Sequence, residues 1–327
     1  MADLLKDFTG ADITTIDEEV YIPIIENILY KNDFSIIVGM QKTNKSILAM
    51  QMACCMSSGT PFLGAFAVPK PLTVWYFGTE GKVNEIKDRF VRMSKIIPTN
   101  FDNIVLFSST QFKFNVLSAK KELEKVLYKY ESKLPSVIFI DSLYSSYKGK
   151  LTEEDAWNNF VTIVRGLMEV CNESACVLAH HMTKERRDDR GNVISQNDSN
   201  TFGSTFILGA VDHCFTIEKC RKDNRDRIIK CATQRSGNII EHMRVRFHEP
   251  EPLYLSLISN HGEEEQRIAK LLGTNAYADG LTSGELLKKT KISKSLFSIV
   301  LGEMVTRNKI TKTGGRKGKY KLTRGER

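Results

Sequence analysis

An apolar run beginning at Phe34 leads into Gly39-Met-Gln-Lys-Thr-Asn-Lys45-Ser46. Glycine, four residues, then glycine, lysine and serine or threonine make a phosphate-binding loop. Gly39, Lys45 and Ser46 fill their places in that pattern, and Asn44 stands in the place of the second glycine. In such a loop the backbone N–H groups and the helix N-terminus cradle phosphates, the lysine ammonium reaches the outer phosphates, and the hydroxyl holds Mg²⁺. Gly39, Met40, Gln41, Lys42, Thr43, Asn44, Lys45, Ser46 and Ile47 are therefore the candidate ATP-binding residues, with Ser46 a Mg²⁺ ligand. Asparagine tolerates left-handed backbone angles better than most non-glycine residues, so the turn is expected to form with a polar side chain beside the phosphates. Taken alone, the segment also reads as an ordinary strand-turn-helix with a chance lysine.

Four further positions carry chemistry that fits a nucleotide. The run Ser136-Val-Ile-Phe-Ile ends in Asp141, where a carboxylate at a strand end orients Mg²⁺ beside Ser46. A strand end followed by a turn gives the same pattern without any metal. Glu80 closes the run that starts at Leu72, as a general base for water or as a surface or helix-capping carboxylate. His180 and His181 end another apolar run, one placed to donate to a phosphate or its water and the other structural. Arg235 precedes a turn glycine, either as a finger reaching the site of a neighbouring subunit or as a solvated turn residue.

These residues must be positioned by a sheet. Apolar strand-like runs at 34–38, 72–78, 103–107, 136–140, 175–179 and 212–217 alternate with helical patterns at 46–58, 83–95, 118–133 and 153–172. This is the order of an α/β fold with a mainly parallel sheet flanked by helices. The polar stretch 182–201 lacks periodicity and is expected to be a long loop.

The order Gly39–Ser46, Glu80, Asp141, His180-His181, Gly203-Ser204-Thr205 and Gln234-Arg235 resembles the RecA-like ATPases of hexameric replicative helicases. The likeness is closest to the RepA-type (AAA_25) group, with the DnaB type more distant, and covers about two thirds of the chain. The resemblance implies a RecA-like P-loop NTPase fold and NTP-driven translocation on single-stranded DNA by a ring with sites between subunits. It also implies Glu80 as catalytic base, the strand-end histidine, His181, as γ-phosphate sensor, and Arg235 as the finger. In such rings the loop after the histidines faces DNA, which makes Lys184, Arg186, Arg187 and Arg190 candidate DNA contacts; Glu185, Asp188 and Asp189 offset their charge, the pattern of a solvated loop. Three departures accompany the match: Asn44 in the loop, Phe202 where the RepA type carries arginine, and Thr233 where the DnaB type carries lysine. They support an alternative, a nucleotide-binding DNA assembly or replication accessory protein with weak or no hydrolysis. A recombination mediator is a third reading.

Beyond residue 260 the pattern changes. Helical spacings at 263–274, 283–290 and 293–307 precede two short strands at 309–313 and 319–323, the outline of a winged helix-turn-helix. The expected division is an N-terminal arm at 1–19, a RecA-like ATPase domain at 20–260 and a basic winged-helix domain at 261–327. The net charge of +8 on 327 residues is localised there. Residues 307–327 hold nine Lys/Arg and one acidic residue, leaving 38 basic against 38 acidic groups elsewhere. Such a cluster suits a polyanion, and Lys294, Arg316, Lys317, Lys319 and Lys321 are the candidate contacts to single-stranded or double-stranded DNA; winged helices also mediate protein contacts.

Hydrophobic content of 41% and charged content of 26% are ordinary globular values, which exclude a disordered or fibrous chain. No apolar run approaches the ~18 residues of a membrane span and the amino terminus lacks a signal-peptide profile, so a cytoplasmic protein without membrane contact is expected. The seven cysteines are odd in number and form no Cys-x-x-Cys pair, as expected of reduced core residues.

Overall fold

The computed structural model describes residues 21–149, 153–181, 205–220, 223–235, 242–258, 262–306, 309–314 and 318–323. The expected arm at 1–19, the loop residues Lys184, Arg186, Arg187 and Arg190, and Arg316 and Lys317 lie outside them. The elements in chain order begin with β1 (Pro23–Ile25), β2 (Leu29–Tyr30), β3 (Phe34–Gly39), α1 (Lys45–Ser58), β4 (Val74–Gly78), α2 (Val83–Ser94) and β5 (Ile104–Ser108). They continue with α3 (Leu117–Lys129), β6 (Val137–Asp141), α4 (Glu154–Val170), β7 (Ala175–His181), α5 (Thr205–Ala210), β8 (His213–Lys219), β9 (Asp226–Gln234), β10 (His242–His248) and β11 (Tyr254–Ile258). The last are α6 (Gly262–Leu272), β12 (Leu281–Thr282), α7 (Ser283–Thr290), α8 (Lys294–Thr306), β13 (Ile310–Thr313) and β14 (Lys319–Leu322).

One nine-stranded sheet runs in the order β11-β10-β9-β8-β3-β7-β6-β4-β5. The six strands from β8 to β5 are parallel, and β9, β10 and β11 extend the sheet antiparallel. Parallel strands flanked by helices are buried on both faces, which is why β3, β4 and β6 are buried throughout yet still sort by alternation. Ile37, Tyr76, Phe139 and Val177 pack with α1 and α2 on one face. Ile36, Trp75, Ile138 and Leu178 pack on the other with Trp157, Phe160 and Val164 of α4.

The parallel strands agree with the apolar runs, whereas β9 to β11 have no such signal. Their sequences carry arginines and an aspartate because the polar side chains pair with one another. Asp226, fully buried, accepts hydrogen bonds from Arg244 at 2.7 Å and Arg246 at 2.8 Å, both on β10. Further along, β12, β14 and β13 form a separate antiparallel sheet in that order. It packs with α6, α7 and α8 around Ile268, Leu286, Phe297, Val300, Met304 and Ile310. The start of α7 is capped by Thr282 in a capping box with Glu285.

Candidate functional site: a phosphate loop at the carboxyl edge of the sheet

Parallel strands place every strand end at one edge, and that edge gathers Gly39 of β3, Asp141 of β6, His181 of β7 and, two residues past β4, Glu80. Gly39 is required by packing. A β-carbon there would lie 2.4 Å from the Ile217 carbonyl oxygen and 2.8 Å from Thr43 Oγ1. Lys42 and Asn44 have positive φ, 60° and 75°, and bend the loop around. Asn44 is the N-cap of α1, its carbonyl accepting from the Leu48 N–H at 2.9 Å, so the expected turn forms with asparagine in the left-handed position.

Lys45 is buried, and its ammonium donates to the carbonyls of Gly39 at 2.9 Å and Met40 at 2.8 Å. Burial pulls its pKa down to about 8, against the attraction of Asp141 and Glu80. Ser46 donates to Oδ1 of Asp141 at 3.0 Å, and the Tyr76 hydroxyl donates to Oδ2 at 2.7 Å. Burial raises the Asp141 pKa, and the Tyr76 and Ser46 hydrogen bonds oppose the rise. Glu80 Oε2 lies 3.4 Å from His181 Nε2. Burial alone would raise the Glu80 pKa, but hydrogen bonds from Ser142 and His181 outweigh it and hold the carboxyl below its ordinary value. Burial and the nearby His181 and Lys45 charges depress the His180 pKa to about 4, which keeps it neutral.

A cleft of about 570 Å³ opens in front of the loop. Lys42, Asn44, Lys45, Ser46 and Ile47 form one side; Arg89 and Arg92 of α2, Lys219, Arg225 and Arg227 add cations, with Glu249 the carboxylate among the lining residues. The donor set fits a magnesium nucleotide: a hydroxyl and a carboxylate oxygen, hard ligands both, meet beside a loop of amides and a surplus of positive charge.

The structure brings Gly39, Lys45, Ser46, Glu80, Asp141 and His181 to one edge. Met40, Gln41 and Lys42 are exposed along the loop, while Thr43 is buried and donates to the Met40 carbonyl at 2.8 Å. Arg235 is elsewhere. It follows β9 at the opposite edge of the sheet, where its backbone N–H bonds Asp212 and its guanidinium donates to the Gly209 carbonyl at 2.7 Å. It does not serve the site of its own chain. Lys294, Lys319 and Lys321 lie on the C-terminal elements, the first two exposed and Lys321 half-buried. Sequence reasoning missed Tyr76, hidden in an apolar run, and the arginines of the cleft wall. Arg227 belongs to the charged run Lys219 to Arg227, and that density of charge at a hairpin was the available signal.

Residues 11–187, more than half of the chain, match the family of AAA domains designated AAA_25. The chain belongs to this family. Among solved structures, one ATPase domain is similar over 70% of this chain and 86% of its own, with a TM-score of 0.50 at 16% identity. That likeness, together with the sheet, gives the fold as that of a RecA-like P-loop ATPase. The flagellar accessory protein FlaH from Methanocaldococcus jannaschii is similar over 70% of this chain and 90% of its own (TM-score 0.47, 13% identity). A DnaB-like replicative helicase, solved in a study of its interactions with primase, is similar over 70% and 59% (TM-score 0.49, 14% identity). No curated protein matches the AAA_25 chain in sequence. Among the described residues, no helix is long and apolar enough to cross a membrane.

Proposed function

We propose that this chain is an ATP-dependent motor of the RepA-like replicative helicase type, translocating on single-stranded DNA in replication of a plasmid, phage or mobile element. The observation that carries the reading is the convergence of Lys45, Ser46, Asp141 and Glu80 at one edge of the sheet, where Lys45 and Ser46 line a basic cleft. Family membership and the likeness to a solved ATPase domain support it. Magnesium, when bound, would neutralise charge on the phosphates. Lys45 turns from its loop carbonyls to the outer phosphates, and the α1 amides stabilise charge. Ser46 and Asp141 hold the metal. Glu80, ionised at neutral pH, accepts the proton of the attacking water while His181 fixes the carboxylate. Arg235, away from its own cleft, completes the site of a neighbour in a hexameric ring. Residues 20–260 form the ATPase domain, and 261–327 a winged helix whose Lys294, Arg316, Lys317, Lys319 and Lys321 join Lys184, Arg186, Arg187 and Arg190 in contacting DNA; replication proteins are further partners.

ATP turnover measured with and without single-stranded DNA tests this. Lys45→Ala and Glu80→Gln are each expected to abolish DNA-stimulated hydrolysis, and turnover undiminished by either change overturns the assignment. A second reading, a DNA assembly protein that binds nucleotide with weak or no hydrolysis, is favoured by the side chain of Asn44 inside the loop. Tight ATP binding without turnover in the wild type would select it.

A further inference from the structure

Asn44, the residue that departs from the phosphate-loop pattern, is gripped from another strand. Its Oδ1 accepts a hydrogen bond from Nε of Arg227 at 2.7 Å, across 183 residues of chain. Arg227 is only 4% exposed, yet it lines the cleft. Its Nη1 donates to the carbonyls of Asn224 and Asp226, and its guanidinium sits over the Phe247 ring at 5.8 Å. All of these partners are neutral. The adjacent carboxylate, Asp226, is taken by Arg244 and Arg246, and among the described residues no carboxylate forms an ion pair with Arg227. A nearly buried guanidinium whose hydrogen bonds go only to neutral acceptors, with Glu249, Asp226 and Asp223 acting on it at a distance, keeps a charge that no direct carboxylate contact neutralises.

We infer that Arg227 binds the phosphate chain of the nucleotide from within the same subunit, and that Asn44 is the residue that positions it there. The inference rests on reading the cleft as a nucleotide site and adds the group that recognises the polyphosphate. Asn44 immediately precedes Lys45 at the N-terminus of α1, so whatever its Oδ1 holds stands beside the loop amides. The guanidinium fork matches phosphate oxygens in a way a lysine does not. Glycine at position 44 has no Oδ1, so the substitution that breaks the pattern is also what ties β9 to the loop. Asn44 is thus an adapter between two cations, Lys45 on one side and Arg227 on the other.

The experiment is calorimetric titration of the full chain with Mg²⁺-ATP and with tripolyphosphate. Arg227→Gln is expected to weaken both ligands by about tenfold or more, by the same factor for each. Asn44→Gly, which restores the usual loop glycine and suits the left-handed backbone, is expected to weaken ATP by about threefold or more while the chain stays folded. In the Asn44→Gly background Arg227→Gln is expected to cost clearly less than in the wild type, since the two act as a unit. ATP binding equal to or tighter than wild type in Asn44→Gly, or tripolyphosphate affinity unmoved by Arg227→Gln, overturns the inference. A chain in which Lys45→Ala leaves ATP affinity unchanged overturns the nucleotide-site reading instead, and a wild type that binds no ATP overturns both.

Discussion

The Tyr76 hydroxyl donates to Oδ2 of Asp141 at 2.7 Å inside the core, leaving Oδ1 to Ser46. Burial raises the pKa of Asp141, and the phenol is the first influence opposing the rise. Tyr76→Phe removes that hydrogen bond and keeps the ring packed against Phe90 and Phe139. The carboxyl pKa then climbs further, so Asp141 becomes protonated at a higher pH. The Mg²⁺ concentration needed for half-maximal nucleotide binding is expected to rise in the variant, more at pH 6 than at pH 8. Stability is expected to fall by about 1–2 kcal/mol for the unpaired buried oxygen. Metal titrations at the two pH values distinguish this role from simple core packing, which would shift both alike.

Lys45 gives a pH dependence of opposite sign for two properties. Its pKa of about 8 lies below the ordinary value of 10.5, because burial outweighs the attraction of Asp141 and Glu80. Phosphate needs the charged form, so ATP affinity is expected to be level below pH 8 and to fall by about tenfold per pH unit above it. Folding behaves in reverse. Between pH 8 and 10.5 the unfolded chain holds a proton that the folded chain has lost, and this group adds stability as the pH rises through that window. Titration calorimetry and chemical denaturation over about pH 7 to 9.5 check the two slopes.

Gly39 and Gly166 separate a packing requirement from a conformational one. Gly39→Ala drives a methyl group into the Ile217 carbonyl, 2.4 Å away, and pushes β3 from β8, with an expected loss of about 2–3 kcal/mol. Gly166, within α4, has nothing within 4 Å of an added β-carbon. Gly166→Ala is expected to gain about 0.5–1 kcal/mol, because it restricts the unfolded chain. Urea denaturation of both variants tests the pair.

The C-terminal cations make a salt-dependent prediction. If Lys294, Lys319 and Lys321 contact DNA phosphates, replacing each by glutamine lowers the slope of log affinity against log salt by roughly one unit per contact. Fluorescence anisotropy on a labelled oligonucleotide over a salt series measures it; an unchanged slope in the triple variant assigns these lysines to solvent.

The sequence was most legible where one constraint acted alone. β3, β4, β6 and β7 are buried on both faces, so they read as apolar runs, and each run or its immediate sequel carries a residue of the site. Asn44 was legible as a departure and its left-handed angle followed from residue type, because that is a local property. The grip of Arg227 on it was not. That Arg227 turns inward is decided by β9 pairing with β8 and by Phe247 arriving from β10, contacts that no local pattern encodes. Similarly, β10 alternates buried and partly exposed residues, but Arg244 and Arg246 mask the strand because their charges are met by Asp226 and Asp223, distant in sequence.

Asp226 and Arg227 are consecutive, and the pleat of β9 turns them to different neighbours. Asp226 cannot withdraw from Arg244 and Arg246 without stranding a fully buried carboxylate. The same group lines a second cleft with Glu265 of α6 and Lys309, which are themselves paired at 3.3 Å. Arg227 therefore stands on a strand clamped one residue away, and that clamp adjoins the C-terminal elements through the second cleft. One strand start thus faces two clefts, the phosphate loop through Arg227 and the C-terminal elements through Asp226.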